Sequence, residues 1–127
     1  MRVDHRQIVV TTGATGAGTA SSGEPWSGFV VEVRNGGTIL DSGGSADYTI
    51  TRKDDGGTIL ALTNVAASPW QYQPRPATHT VTGGTTNYAA AVGPVLSPQG
   101  VPVDGYVQVV IAQGGTSVSG TLDFYIS

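Results

Sequence analysis

Residues 46–64 read ADYTITRKDDGGTILALTN, two runs of strand-forming residues around a turn. In the first run Tyr48 and Ile50 share one face, which is the two-residue period of a half-buried β-strand. Asp54-Asp55-Gly56-Gly57 follows, and glycine reaches the positive φ angles that tight hairpin turns require. The second run begins at Thr58 and is rich in Thr, Ile and Leu. The segment predicts a β-hairpin.

The same turn signal recurs along the chain. Gly-Gly-Thr occurs at residues 36–38, 56–58, 83–85 and 114–116. The last copy predicts a closing hairpin that pairs residues 106–112 with residues 121–126, and in which Asp123 and Tyr125 share one face. Taken over the whole chain, the short strand-forming runs lie at spacings of about the 8–12 residues expected for a sandwich or barrel. We predict an all-β chain of roughly seven to nine short strands, an antiparallel β-sandwich or a jelly-roll-like barrel.

Residues 28–34 form another alternating run. A regular strand here has Phe29, Val31 and Val33 on one face and Val30, Glu32 and Arg34 on the other. A single helical turn is expected only at residues 88–92.

The length of 127 residues fits one domain, and we divide it into a domain and an N-terminal extension. We assign residues 23–127 to the β-sandwich and residues 1–22 to an arm. The arm begins with a strand in which Ile8 and Val10 share one face, followed by a Gly/Ala/Thr/Ser stretch. That stretch is either a flexible linker or a small-residue strand packed closely on a neighbour. We expect the arm to contact a neighbouring subunit by strand addition.

Charged residues are scarce, at 12% of the chain against about 25% in typical soluble domains. Two interpretations fit this composition. Either Thr and Ser keep a thermostable or secreted β domain soluble, or partners cover much of its surface. Several strands carry apolar residues on both faces, and such strands must be covered on both sides. We therefore expect a homo-oligomer, with a trimer preferred.

Several function classes find no support in the sequence. The net charge is −3 and the six Lys and Arg residues are scattered, so we expect no nucleic-acid binding. There is no cysteine, and His5 lies far from His79, so we expect no metal site, cofactor or catalytic centre. No apolar run approaches the ~20 residues of a membrane span, and no signal sequence is recognisable, so we expect neither membrane insertion nor signal-directed export.

The segment 69–80 concentrates aromatic side chains, arginine and proline. Trp, Tyr and Arg are enriched at the energetic centres of protein interfaces, and prolines lower the entropy cost of docking. We predict a protein interface that includes Trp70, Tyr72 and Arg75, and we add to it Trp26, Ile8 and Val10. Two alternatives remain open: Trp70 covers the core of its own domain, or the aromatic rings form a sugar-binding platform.

Several short motifs are similar to a group of small proteins encoded by tailed bacteriophages and prophages. The matching residues are Asp47-Tyr48-Thr49-Ile50-Thr51, Thr63-Asn64, Pro74-Arg75, Thr78-His79, the run from Val109 to Gly115, and Gly120-Thr121. The resemblance covers about the last two-thirds of the chain and transfers no catalytic residue. It implies a virion structural protein, with head decoration (cement) proteins as the nearest type.

The function expected from this resemblance is capsid decoration without catalysis. The protein would be made in the host cytoplasm, join the virion, bind the major capsid protein or other virion proteins, and bridge neighbouring capsomers. Two alternatives are a tail, spike or head–tail joining component, and a carbohydrate-binding β-sandwich. The feature that would distinguish the last is an exposed, coplanar platform formed by Trp26, Trp70 and Tyr72.

Overall fold

The computed structural model describes residues 3–35, 45–65, 69–79, 81–84 and 96–127. Within these ranges the chain forms nine β-strands and no helix. The strands are β1 (Asp4–Thr11), β2 (Gly18–Ser21), β3 (Trp26–Asn35), β4 (Ala46–Arg52), β5 (Thr58–Val65), β6 (Trp70–Tyr72), β7 (Val101–Gly105), β8 (Val107–Ala112) and β9 (Ser119–Ile126). The helical turn predicted at residues 88–92 and the Gly-Gly-Thr copy at residues 36–38 lie outside the described residues.

The strands form two antiparallel sheets that pack face to face. Sheet A has the order β1-β9-β3, and both β6 and β7 pair with the other edge of β3. Sheet B has the order β2-β8-β4-β5. The all-β prediction is confirmed in its first form, an antiparallel β-sandwich, because the sheets do not close into a barrel.

The core lies between the two sheets and follows the two-residue period of the strands. On β8, Val107, Val109 and Ile111 are buried, while the residues between them are partly or fully exposed. Leu122 and Phe124 on β9 and Tyr48 on β4 are also fully buried. Each inner face is therefore apolar, which is what holds the sheets together.

The hairpin predicted at residues 46–64 is confirmed. β4 pairs with β5, and Tyr48 lies opposite Leu62. Two backbone hydrogen bonds close the turn: the Arg52 amide donates to the Gly57 carbonyl and the Gly56 amide to the Arg52 carbonyl, each at 2.8 Å. Gly56 has a φ of 73°, the conformation for which glycine was expected.

The predicted closing hairpin is wrong, although both of its strands are central. β8 lies between β2 and β4 in sheet B, whereas β9 lies between β1 and β3 in sheet A. The residues between them cross from one sheet to the other. In this crossing Gln113 has a φ of 56° and Ser117 a φ of 50°. β8 and β9 each bury one apolar face. Two strands of this kind can face each other from opposite sheets as well as pair in one hairpin, so the alternation alone does not distinguish the two arrangements.

The residues predicted as an N-terminal arm contribute strands to both sheets. β1 pairs with β9 along its whole length, from Asp4 opposite Ile126 to Thr11 opposite Ser119. β2 pairs with β8. The Gly/Ala/Thr stretch between them is a turn, fixed by hydrogen bonds from the Gly114 amide to the Gly16 carbonyl and from the Ser117 amide to the Gly13 carbonyl, each 2.9 Å long. The expected contact of this segment with a neighbouring subunit stays a prediction.

A bulge in β3 changes which of its side chains face outward. The register to β9 shifts between Val30 and Glu32. Val30 and Val33 are therefore both buried in the core, whereas the regular alternation expected for residues 28–34 put them on opposite faces. Glu32 and Arg34 lie opposite Tyr125 and Asp123 of β9. The extra residue of the bulge therefore places the Glu32 and Arg34 side chains on the outer face of sheet A.

Candidate functional site

Two adjacent rows of polar and aromatic side chains cross the outer face of sheet A. Strand pairing aligns the first row, which consists of Gln7, Asp123, Arg34 and Gln71. The second row consists of His5, Tyr125 and Glu32, and Gln73 extends it just beyond β6. We call these eight side chains the polar face.

Tyr125 is held between two neighbours on the polar face. The His5 ring stacks on it with centroids 5.0 Å apart and planes 13° apart. The Arg34 guanidinium carbon lies 4.5 Å from the centre of the Tyr125 ring, a cation–π contact. Because β1 and β3 flank β9, the two contacts reach Tyr125 from opposite sides of its strand.

Both carboxylates of the polar face have fixed partners. Asp123 Oδ1 accepts a hydrogen bond from Gln7 Nε2 at 2.8 Å and lies 2.8 Å from His5 Nε2. Glu32 accepts from Arg34 Nε and, at 3.2 Å, from Gln73 Nε2. The hydrogen bond to Glu32 is the main reason that the pKa of Arg34 is raised above its ordinary value. The polar face therefore presents one permanent cation and two oriented acceptors.

An open groove of about 480 Å³ lies at the β6 side of the polar face. β3 and β9 contribute Arg34, Asn35, Asp123 and Tyr125 to its lining, and the segment containing β6 contributes Pro69, Trp70 and Gln71. The Arg34 side chain is 47% exposed and Gln71 is exposed. The groove thus combines hydrogen-bonding side chains with an aromatic and a proline ring.

Two of the predicted interface residues, Trp70 and Arg75, also serve their own domain. Trp70 is half-buried and packs edge-on against the core residue Tyr48, with ring centroids 5.3 Å apart and planes at 76°. Arg75 donates to the Val31 carbonyl at 3.0 Å, on the edge of β3 between the stretches paired with β6 and β7. Tyr72 is the most accessible of the predicted set, with 45% exposure.

The remaining predicted interface residues lie in the core. Ile8 is 2% exposed, Val10 is fully buried, and Trp26 is 5% exposed and packs on Phe124. Their side chains therefore offer almost no surface on the single domain. Because Trp26 is buried, and because the Trp70 and Tyr72 rings are tilted by 52°, the coplanar platform that would distinguish the sugar-binding alternative is not present.

The outer face of sheet B differs from the polar face in having almost no charge. One row across all four strands consists of Thr19, Val110, Thr49 and Ala61, and all four residues are exposed. The next row contains Ser21, Gln108 and Thr51. We call these seven residues the uncharged face. Asp47 lies at the margin of this face, where its carboxylate accepts from the Asn64 amide at 2.9 Å.

The polar face was missed at the sequence level because it depends on long-range pairing. The alternation of β9 did indicate that Asp123 and Tyr125 share a face. Nothing local brings His5 to Tyr125, since 120 positions separate them in the sequence. Among the described residues, no group of three or more His, Asp or Glu side chains is placed to hold a metal ion. The described part of the chain also contains no helix long and apolar enough to span a membrane.

Comparisons with known proteins do not extend this picture. No protein-family model matches the sequence, and searches of curated proteins and of solved structures find no match either. The function must therefore be argued from the two outer faces and from the motif resemblance.

Proposed function

We propose that this chain is a non-enzymatic structural protein of a tailed-bacteriophage virion, a capsid decoration protein that bridges neighbouring capsomers. The observation that carries the proposal is the uncharged face. Only two charged residues, Asp47 and Arg52, occur in the four strands of sheet B. The resemblance of residues 47–51 and 109–115 to phage proteins supports the same role, and both segments belong largely to sheet B.

The uncharged face suits a large protein contact for physical reasons. The cores of protein interfaces are depleted in charged residues, because burying a charge costs free energy. Thr49, Val110 and Ala61 have short side chains that lose little conformational freedom on docking. A subunit seated by this face across a boundary between capsomers would add interface energy to the shell and oppose internal DNA pressure.

Self-association forms part of the proposal, with a trimer as the preferred form. Among the described residues β5 pairs only with β4, and no described strand pairs with its outer edge. Its sequence, TILALTNV, contains neither a charge nor a proline. Charges occur on the edge strand β1, and Pro102 lies in β7. Open edges without such protection invite pairing with another chain. In a trimer β5 would contact a different surface of the next subunit, because a like-with-like contact produces a dimer.

The test uses particles produced by the genome that encodes this chain. Shells that lack the protein are mixed with purified wild-type, Val110→Arg or Val9→Arg protein, and binding is measured by co-sedimentation. Val110 lies on the uncharged face and Val9 is the matched exposed valine on the outer face of sheet A. We expect Val9→Arg to bind like wild type and Val110→Arg to bind roughly tenfold or more weakly, because a tenfold loss needs only about 1.4 kcal/mol.

Three outcomes would contradict parts of the proposal. Equal binding of both variants would mean that the uncharged face is not the contact. A protein absent from purified particles would end the virion role altogether. A protein found only in the tail fraction would replace decoration by the tail or joining role.

A further inference from the structure

We infer that the groove beside β6 binds a neutral carbohydrate chain, through its polar side chains and one tryptophan and not through a coplanar aromatic platform. The inference goes beyond the proposed function and does not depend on it, because the groove belongs to sheet A and the proposed capsid contact to sheet B. Its volume of about 480 Å³ lies within the range of small-ligand sites.

The groove offers hydrogen-bond donors and acceptors side by side. Arg34 presents guanidinium donors, Gln71 presents an amide that both donates and accepts, and Asp123 presents a carboxylate. A sugar hydroxyl also donates and accepts at the same oxygen, and vicinal hydroxyls fit the planar ends of these side chains. This mixture matches a polyol better than a ligand that only accepts or only donates.

The charge balance favours a neutral ligand. Arg34 stands between two carboxylates, its partner Glu32 and the cross-strand Asp123. A phosphate or carboxylate ligand at Arg34 would have to approach both of these negative charges. Hydroxyl groups carry no such penalty.

The polar side chains of the groove are oriented before any ligand arrives. Arg34 is held by Glu32 and by the Tyr125 ring, and Asp123 by Gln7 and His5. Side chains that are already fixed lose little entropy on binding, which allows even weak individual contacts to yield measurable affinity.

Trp70 supplies the apolar part of the groove and a second indication of a ligand. Together with Pro69 it forms a surface on which the C–H groups of a sugar ring can pack. Among the described residues its Nε1 is the one buried side-chain donor without a hydrogen-bond acceptor. Buried donors without a partner are rare and call for an explanation. Because solvent does not reach this atom, a ligand hydroxyl can accept from it only if the indole ring shifts on binding, which the Trp70 signal in the experiment below would report.

The experiment follows the two tryptophan indole N–H signals of the ¹⁵N-labelled full chain by NMR. The probes are maltotriose, cellotriose, N,N′,N″-triacetylchitotriose and, as the anion, inorganic phosphate. We expect at least one trisaccharide to move the Trp70 signal saturably while the Trp26 signal, from the core, stays in place. Phosphate should move neither signal.

Two matched variants locate the site. Gln71→Ala removes an exposed amide from the groove, and Gln108→Ala removes a partly exposed amide from the uncharged face of the other sheet. We expect Gln71→Ala to weaken sugar binding by about tenfold, which corresponds to one lost polar contact, and Gln108→Ala to leave it unchanged. Both variants should unfold like wild type in urea, because neither glutamine lies in the core.

The inference is overturned if no trisaccharide moves the Trp70 signal, if Trp26 moves in parallel, or if phosphate binds as well as the sugars. Equal weakening by Gln71→Ala and Gln108→Ala would also overturn it. None of these results bears on capsid binding, so this inference and the proposed virion role fail separately.

Discussion

His5 and Tyr125 are stacked across the β1–β9 strand pair, with ring centroids 5.0 Å apart and ring planes 13° from parallel. The contact joins a residue near the beginning of the chain to one near the end of its last strand. It also places the imidazole 2.8 Å from Asp123, so that stacking and hydrogen bonding fix the same ring. This pair is therefore the link between β1 and the rest of the polar face.

We expect a measurable coupling between these two rings. In a double-mutant cycle with His5→Ala and Tyr125→Ala, the interaction energy should be about 0.5–1 kcal/mol, the range for aromatic cross-strand pairs. Urea denaturation of the wild type, both single variants and the double variant measures it. A coupling indistinguishable from zero would show that the stacking contributes nothing to stability.

The buried hydrogen bond between Asn35 and Tyr48 predicts a larger effect. Asn35 Nδ2 donates to the Tyr48 hydroxyl at 3.1 Å, and both side chains are almost completely buried. Tyr48→Phe removes this acceptor and should lower the free energy of unfolding by about 1–3 kcal/mol. Tyr125→Phe is the control, since its hydroxyl makes only a 3.4 Å contact with Arg34 in an exposed setting. Equal losses in the two variants would contradict this prediction.

The β4–β5 turn should make stability depend on pH in the acid range. A hydrogen bond from the Gly57 amide, and then one from Arg52, lower the pKa of Asp55 below its ordinary value. A lowered folded-state pKa adds stability that is complete above the unfolded pKa, about 3.9, and is lost as the pH falls through the folded value. The stability difference between wild type and Asp55→Asn should therefore be constant near neutrality and shrink below about pH 4. Urea denaturation across this pH range measures the difference in free energy of unfolding. A difference that does not change with pH would refute the prediction.

Gly28 cannot accept a side chain without strain. Its φ is 128°, and a Cβ atom there would lie 2.5 Å from the Ser127 carbonyl oxygen. Gly28→Ala should lower the free energy of unfolding by about 1–3 kcal/mol. Gly23→Ala is the matched control, because a Cβ at that position meets nothing within 4 Å. Thermal unfolding of the two variants compares them, and similar midpoints would mean that the backbone near Gly28 adapts freely.

The sequence predicted those parts of the fold that depend on neighbouring residues. The β4–β5 hairpin follows from a turn of Asp and Gly between two strand-forming runs, and its strands pair as expected. The burial of alternate residues on β8 and β9 follows from their two-residue period. Local pattern thus determines which residues form strands and which side of each strand is apolar.

Pairing partners and the candidate sites depended on information that the local pattern lacks. β8 and β9 fit a hairpin equally well, and only the positions of β2 and β1 assign them to opposite sheets. The bulge between Val30 and Glu32 has no marker such as glycine at its own positions. The polar face requires both: β1 beside β9, and the bulge that turns Glu32 and Arg34 outward.

The central place of β9 in sheet A has a consequence for the timing of folding during synthesis. β9 lies between β1 and β3, and among the described strands it is the one that pairs with β1. While the ribosome is still making β8, the first strand of the chain has been exposed for about a hundred residues of synthesis without its partner, whereas the β4–β5 hairpin is already complete. β1 therefore joins sheet A only after β9 has left the ribosome, whereas β3 can already pair with β6 and β7. Charges such as those of Asp4 and Arg6 on β1 are the kind that discourage an open strand from pairing with other chains.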